Sequence, residues 1–175
     1  MTRRPALGAA APWVSTAARL VLAGVFVVAG VTKAVDPLGS VAAVRAYRLL
    51  PAALETPVGW GLPFLEIVLG LLLGVGVGTR LTAGVAGVLL VGFLGGVASA
   101  AARGLSIDCG CFGGGGAVAA GQTHYTGEIL RDTGLLLLAL WLVVRPASRG
   151  ALALGPAKPP PVELGRSAPE LRGVR

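Results

Sequence analysis

Residues 80–103 read RLTAGVAGVLLVGFLGGVASAAAR, with 22 consecutive uncharged residues between the two arginines. A helix crossing a hydrocarbon core about 30 Å thick needs roughly 20 mostly apolar residues, so this stretch predicts a membrane span over 81–102. The whole 175-residue chain has the same bias, at 54% apolar and 13% charged. That charged share is about half the usual one for a soluble domain. So large an apolar surplus cannot be hidden inside a soluble fold of this size, and lipid is the expected solvent.

Working outward, residues 56–79 form a second span interrupted only by Glu66. Upstream, residues 20–32 are uncharged between Arg19 and Lys33, and a turn added at each end completes another span. Downstream, residues 133–144 supply only 12 uncharged positions, about 18 Å of helix. The last helix must therefore begin near Gly127 and carry Glu128, Arg131 and Asp132 to membrane depth. The expected fold is all-α, an integral membrane antiparallel four-helix bundle with helices over 14–34, 57–78, 81–102 and 127–145. Trp13, Trp60 and Trp141 fall near span ends, where interfacial aromatics belong. Arg3 and Arg4 before an apolar run imitate a signal peptide, but Lys33 and Asp36 follow where a small-residue cleavage site would stand. The first span is thus read as uncleaved.

Four spans leave both termini on one side, and ten of the fifteen Lys and Arg residues lie there. The excess of cations assigns that side to the cytoplasm of a cell membrane and the loop holding Cys109 and Cys111 to the extracytoplasmic face, where thiols are oxidised and exchanged. Residues 1–13 then form a cytoplasmic segment, 14–146 the membrane domain, and 147–175 a basic, proline-rich cytoplasmic tail expected to be disordered. The net charge of +7 is scattered over tails and loops, so the cations suit topology and anionic lipid, and no nucleic-acid partner is expected. In the loop over 35–56, GSVAAVRAYRLLP reads as a short helix ended by Pro51, with Arg45 and Arg48 on one face. It is either an interfacial segment with solvated arginines or a lid over the thiols.

Gly70, Gly74 and Gly78 recur every four residues, as do Gly92 and Gly96, a spacing that lets helix backbones approach closely in lipid. Glu66 is a different matter, since a charge at that depth costs about 2.5–3.5 kcal/mol on insertion scales. Pairing with Arg131 or Lys33 would offset the cost; a proton-handling carboxylate is the other reading. Glu128, Arg131 and Asp132 share a helical face, expected to point into the bundle below the cysteine loop.

That loop reads IDCGCFGGGG over 107–116 and holds both cysteines of the chain. As a staple, a three-residue ring stabilises by only about 1.6 kcal/mol against about 3 for fifteen residues. As a zinc site, two thiolates with Asp108 and His124 match no common spacing, and no metal is expected. Gly110 permits the bend that a Cys-Gly-Cys disulfide needs, and a strained disulfide is easily reduced. The pair therefore reads as a redox element, with Gly113–Gly116 as a flexible hinge. His124 is either a proton acceptor near the thiols or a solvated loop residue, and Tyr125 reads as an interfacial aromatic.

Taken together, KAVDP, AYRLLP, LPFLEIVLGLLL, DCGCFG and LRDTGLLLLAL resemble the methylamine-utilisation MauE family, within the broader DoxX-like four-helix membrane proteins, over roughly residues 16–145. The resemblance implies a multipass membrane protein associated with disulfide chemistry. In that family it is linked to maturation of the disulfide-rich small subunit of methylamine dehydrogenase, beside a thioredoxin-like partner. It also implies roles for Lys33, Glu66, Cys109, Cys111 and Arg131. Two functions follow as expectations. One is thiol–disulfide exchange through Cys109 and Cys111 with an extracytoplasmic thioredoxin-fold protein and a disulfide-containing client, Lys33, Glu66 and Arg131 lining a buried polar pocket and a quinone serving as a candidate electron sink. The other is a non-catalytic assembly or transport partner, with structural cysteines and Glu66 handling a proton or substrate.

Overall fold

A computed structural model describes residues 7–119 and 121–152. Helix accounts for 73% of these, in five segments: α1 (Leu7–Val35), α2 (Pro37–Ala46), α3 (Ala52–Val75), α4 (Thr79–Ala102) and α5 (Tyr125–Val144). Between α4 and α5, β1 (Ile107–Asp108) and β2 (Gly116–Ala117) pair antiparallel around the cysteines. Three helices are long and apolar enough to cross a membrane by length and composition, over 11–35, 52–75 and 79–102. With its three charged residues, α5 is not among them.

Helix boundaries follow local chemistry. Asp36 starts α2 by accepting the Gly39 N–H at 2.9 Å, ahead of Pro37, a helix-start pairing of side-chain acceptor and pre-set φ. The helix stops at Ala46, five residues before Pro51, because Arg48 takes the left-handed conformation at φ 51°. Arg45 and Arg48 consequently share no helical face; Arg45 pairs instead with Glu55 at 2.7 Å. Gly76 closes α3 in a left-handed conformation at φ 80°, and Gly78 opens α4 at φ 54°, so two helices reverse direction within three residues.

The strongest packing joins α1 to α3 and α4 to α5, with α1 also touching α5 and α3 touching α4. Ala18, Leu22 and Phe26 of α1 meet Leu69 and Leu73 of α3, Ala83 and Leu90 of α4, and Leu135 and Leu142 of α5 in one apolar core. Gly70 is what lets α1 and α3 close up: a Cβ there would stand 2.8 Å from the Val27 nitrogen and 2.9 Å from the Ala23 carbonyl oxygen. The repeat in α4 works otherwise. A Cβ on Gly92 meets nothing within 4 Å and one on Gly96 meets only the Tyr47 ring, so these glycines leave space rather than seat a neighbouring helix.

Two opposite ends result. The terminal end gathers the start of α1, the Gly76–Gly78 turn and residues 145–152; the cysteine end gathers α2, the β hairpin and the start of α5. At the terminal end Arg19 is 3% exposed and donates to the Leu73 and Gly74 carbonyls, both at 2.7 Å, and to the Arg149 carbonyl. Ser15 donates to the Arg145 carbonyl at 2.9 Å, and the Leu152 N–H reaches the Val75 carbonyl. Residues 147–152 are therefore bound back onto α1 and α3, unlike the free tail expected from Ala147. The remainder of that tail lies outside the described residues, as do residues 1–6.

Candidate functional site

Above the apolar core, at the cysteine end, charged side chains replace hydrocarbon. Lys33 leaves α1 on the buried face that also carries Arg19, Leu22, Phe26 and Ala29. Its ammonium meets Glu66 of α3 at 2.6 Å, with both side chains under 10% exposed, and lies 5.2 Å from the centre of the Phe93 ring. Of the two partners expected for Glu66, Lys33 is thus the one it has. Arg131 takes Asp132 of its own helix at 2.8 Å and rests 4.9 Å over the Phe112 ring. Glu128 and Asp132 are buried on the α5 face that continues through Leu135, Ala139 and Leu142, so the charged face of α5 does point inward.

The cysteines sit directly over these groups. Gly110 turns the chain between them at φ 65°, and a Cβ there would also strike Ala43 of α2 at 2.8 Å. Conformation and space both require glycine at that position. Asp108 accepts the Gly110 N–H at 3.1 Å and fixes the turn. Gly115 presses onto the Gly110 backbone and Ala43, and Gly113 lies against Thr32, while Gly114 and Gly116 have open space around them; two of the four glycines in the expected hinge are packed and two are not. Two tyrosines hold the loop. Tyr47 donates to the Cys109 carbonyl at 3.3 Å; Tyr125, expected at an interface, bonds the backbone of Leu105 and Ile107 instead.

Both thiols are free and partly buried. The Cys109 sulfur accepts the Cys111 N–H at 3.2 Å and faces an Arg131 guanidinium nitrogen at 3.9 Å. A hydrogen bond from the Cys111 thiol draws the Cys109 thiol below its ordinary range, with Arg131 assisting and burial and Glu128 opposing. The same hydrogen bond, with burial, pushes Cys111 far up. Burial likewise raises the Tyr47 phenol, which stays a donor. The surroundings thus make Cys109 the more acidic and Cys111 the less acidic of the two thiols, and a lowered thiol pKa is what raises thiolate content.

Cys111 borders two spaces. A small chamber of about 20 Å³, room for one water, is lined by Lys33, Glu66, Arg131 and Asp132 among others. One oxygen each of Glu66 and Asp132 is buried without a hydrogen-bond partner. A second cavity of about 360 Å³ lies between α2, α3, α4 and the cysteine loop, bordered by Lys33, Tyr47, Pro63, Gly92, Cys109 and Cys111 among mostly apolar side chains. Asp108, Cys109 and Glu128 bring ligand atoms within 4.8 Å of one another, the nearest thing to a cation site among the described residues. The Arg131 guanidinium beside the same sulfur opposes a cation there. His124 is exposed at the start of α5 and its side chain caps nothing; it joins neither cysteine.

Of the residues singled out in the sequence, Lys33, Glu66, Cys109, Cys111, Glu128, Arg131 and Asp132 are brought together, Asp108 serves the turn, and His124 stands apart. Tyr47, Phe93 and Phe112 were not foreseen. The signal for Tyr47 was present in AYRLLP, whose tyrosine follows the short helix directly.

Comparison with known proteins gives one family. The family model described as "Methylamine utilisation protein MauE" matches residues 11–145. No curated protein and no solved structure matches the chain significantly.

Proposed function

This chain belongs to the MauE family, and on that premise we propose that it is a multipass membrane thiol–disulfide oxidoreductase. In this reading α5 is the fourth span of an antiparallel four-helix bundle, its carboxylates turned inward. Both termini face the cytoplasm, as the distribution of Lys and Arg argues, and the cysteine loop works on the extracytoplasmic face of the cell membrane. The partner is a thioredoxin-fold protein. It delivers electrons from a client whose cysteines are being paired, methylamine dehydrogenase being the client class that the sequence resemblance implies.

In the exchange, a partner thiolate attacks the Cys109 sulfur of a Cys109–Cys111 disulfide. That S–S bond breaks, Cys111 leaves and is protonated, and a mixed disulfide remains on Cys109. The partner's second thiolate then attacks its own bridged sulfur and releases Cys109 as thiolate. Two electrons have moved from partner to chain, one proton resides on Cys111 and one has passed to the medium. A thiol of lowered pKa leaves faster, which suits Cys109 to the second step.

The observation carrying this reading is the geometry of the thiol pair, whose Cys109 sulfur accepts the Cys111 N–H at 3.2 Å and faces the Arg131 guanidinium at 3.9 Å. Thiol trapping with a membrane-impermeant maleimide in intact cells tests it. Cys109 and Cys111 should cycle between protected and labelled states with client synthesis, and Cys111→Ser should accumulate a mixed disulfide through Cys109. A pair that never changes state, with client oxidation unaltered in Cys109→Ala, sinks the proposal. One observation favours a second reading: the unpartnered buried oxygen of Glu66 suits a proton or substrate path in an assembly or transport partner. Loss of function in Glu66→Gln but not in a double cysteine-to-serine variant would select it.

A further inference from the structure

We infer that the 360 Å³ cavity beside Cys109 and Cys111 binds a membrane quinone and passes to it the electrons collected by the thiol pair. The inference rests on the exchange reading and supplies what that reading lacks, an acceptor.

Four observations converge on it. The volume falls within the roughly 300–1,000 Å³ of small-molecule sites, which are typically apolar with few polar groups. Its walls fit that description: Leu62 and Pro63 of α3 and Leu89 and Phe93 of α4 face it, with Lys33, Ser40 and Tyr47 as polar members. Its place in the fold gives a lipid-soluble ligand a way in. The cavity lies between α3 and α4, which touch each other far less than α1 touches α3, and Gly92 faces it with nothing within 4 Å of a Cβ position.

Lys33 supplies the recognition chemistry. An ammonium has three donors, and Glu66 engages Lys33 at one oxygen, its only hydrogen-bond acceptor among the described residues. Spare N–H groups remain at the cavity wall for a quinone carbonyl. Finally, both cysteines border the cavity, so no intermediate carrier is needed.

The step balances without another reactant. Cys109 thiolate and Cys111 thiol lose two electrons between them and form the S–S bond. The quinone gains those electrons with two protons and leaves as quinol. One proton comes from Cys111, and the other enters through Lys33 and Glu66, replacing the one given to the medium during exchange.

The test uses the purified full chain in lipid nanodiscs, reduced, freed of reductant and kept anaerobic, with ubiquinone-1 as probe. The expected result is loss of quinone absorbance matched by loss of two thiols per quinol formed. Gly92→Leu fills the cavity from a helical position with open space around it and should slow quinone reduction at least about tenfold, as a steric block aimed at one ligand does. Gly95→Leu, an identical change on the same helix at another open position that does not border the cavity, should match the native protein. Helical circular dichroism of both variants confirms folding. Equal quinone reduction in Gly92→Leu and native chain overturns the site, as does quinone left untouched, which is the outcome if the cavity holds a lipid acyl chain. Exchange of the native disulfide form with reduced thioredoxin is measured alongside. Exchange without quinone reduction removes the quinone site and leaves the exchange reading standing; absence of both removes both.

Discussion

Arg19 and Lys33 leave the same face of α1 about four turns apart, and each is buried below 10% exposure. Their partners differ in kind. Arg19 is met by the last carbonyls of α3, a fixed acceptor set at the negative end of a helix, and 145–152 closes over it. Lys33 meets a titratable carboxylate whose second oxygen is unpartnered, next to a one-water chamber, an apolar cavity and two thiols. A guanidinium answered by backbone carbonyls has no titratable partner with which to exchange a proton, even though its Nε is buried without a hydrogen-bond partner. A cation answered by a carboxylate, with donors and acceptors left over, can move protons and meet a ligand.

The comparison can be broken first at the Lys33–Glu66 pair. Lys33→Met strands a buried carboxylate, and breaking one side of such a pair costs about 3–5 kcal/mol; thermal unfolding in detergent should show it. The double change Lys33→Met with Glu66→Leu should recover most of that stability, since hydrophobic replacements of both partners are often neutral. Client oxidation should stay lost. Recovery of both would make this pair as purely structural as Arg19.

Arg19→Met should cost less, about 1–3 kcal/mol, the usual penalty for orphaned buried acceptors. Because the site is distant, exchange by the folded protein should change by no more than about twofold. A larger loss would give the terminal end a share in the chemistry.

The third test sharpens the cysteine end itself. Alkylation of Cys109 in a Cys111-intact chain should titrate with a midpoint below that of an ordinary thiol. Arg131→Met should move the midpoint up, and Glu128→Gln should move it down. The sign for stability follows from the lowered folded value: the thiolate's contribution is complete above the unfolded-state pKa and fades as pH falls through the folded one. A midpoint indifferent to both variants would remove the electrostatic basis for choosing Cys109. Smallest is the Arg45–Glu55 pair, whose arginine is 62% exposed; Arg45→Ala should cost below about 1 kcal/mol, in contrast with its buried counterpart.

Much of the helical layout was legible because lipid imposes a simple length rule: the spans read at 57–78 and 81–102 meet α3 and α4 within a few residues at each end. α1 runs farther than its uncharged stretch because Arg19, which reads as a flank, is buried within it. Counting charges cannot distinguish a cation that ends a span from one whose guanidinium tip is held by a neighbouring helix end. Glycines were legible as permission for close approach, not as its direction: Gly70 touches backbone while Gly92 touches nothing, at the same four-residue repeat. The candidate site was readable where the cost of burial forced a partner, as for Glu66 and the charged start of α5. It was unreadable where contact came from across the loop, as with Tyr47 and Phe112, since no periodicity links residue 47 to residue 109. A composition of four consecutive glycines suggested freedom, and only their neighbours Ala43 and Thr32 show that Gly113 and Gly115 are constrained.

The clasp at the terminal end also bears on how the protein is made. Ser15 and Arg19 are synthesised 130 residues ahead of the Arg145 and Arg149 carbonyls that accept their hydrogen bonds. While ribosomes are still extending the chain, the first helix waits in the membrane with a hydroxyl and part of a guanidinium unanswered. A chain halted at Val144 would contain every helix among the described residues and still expose that deficit. Residues 145–149 relieve that deficit, so α1 carries a marker that distinguishes chains extended past Arg149 from those halted before it.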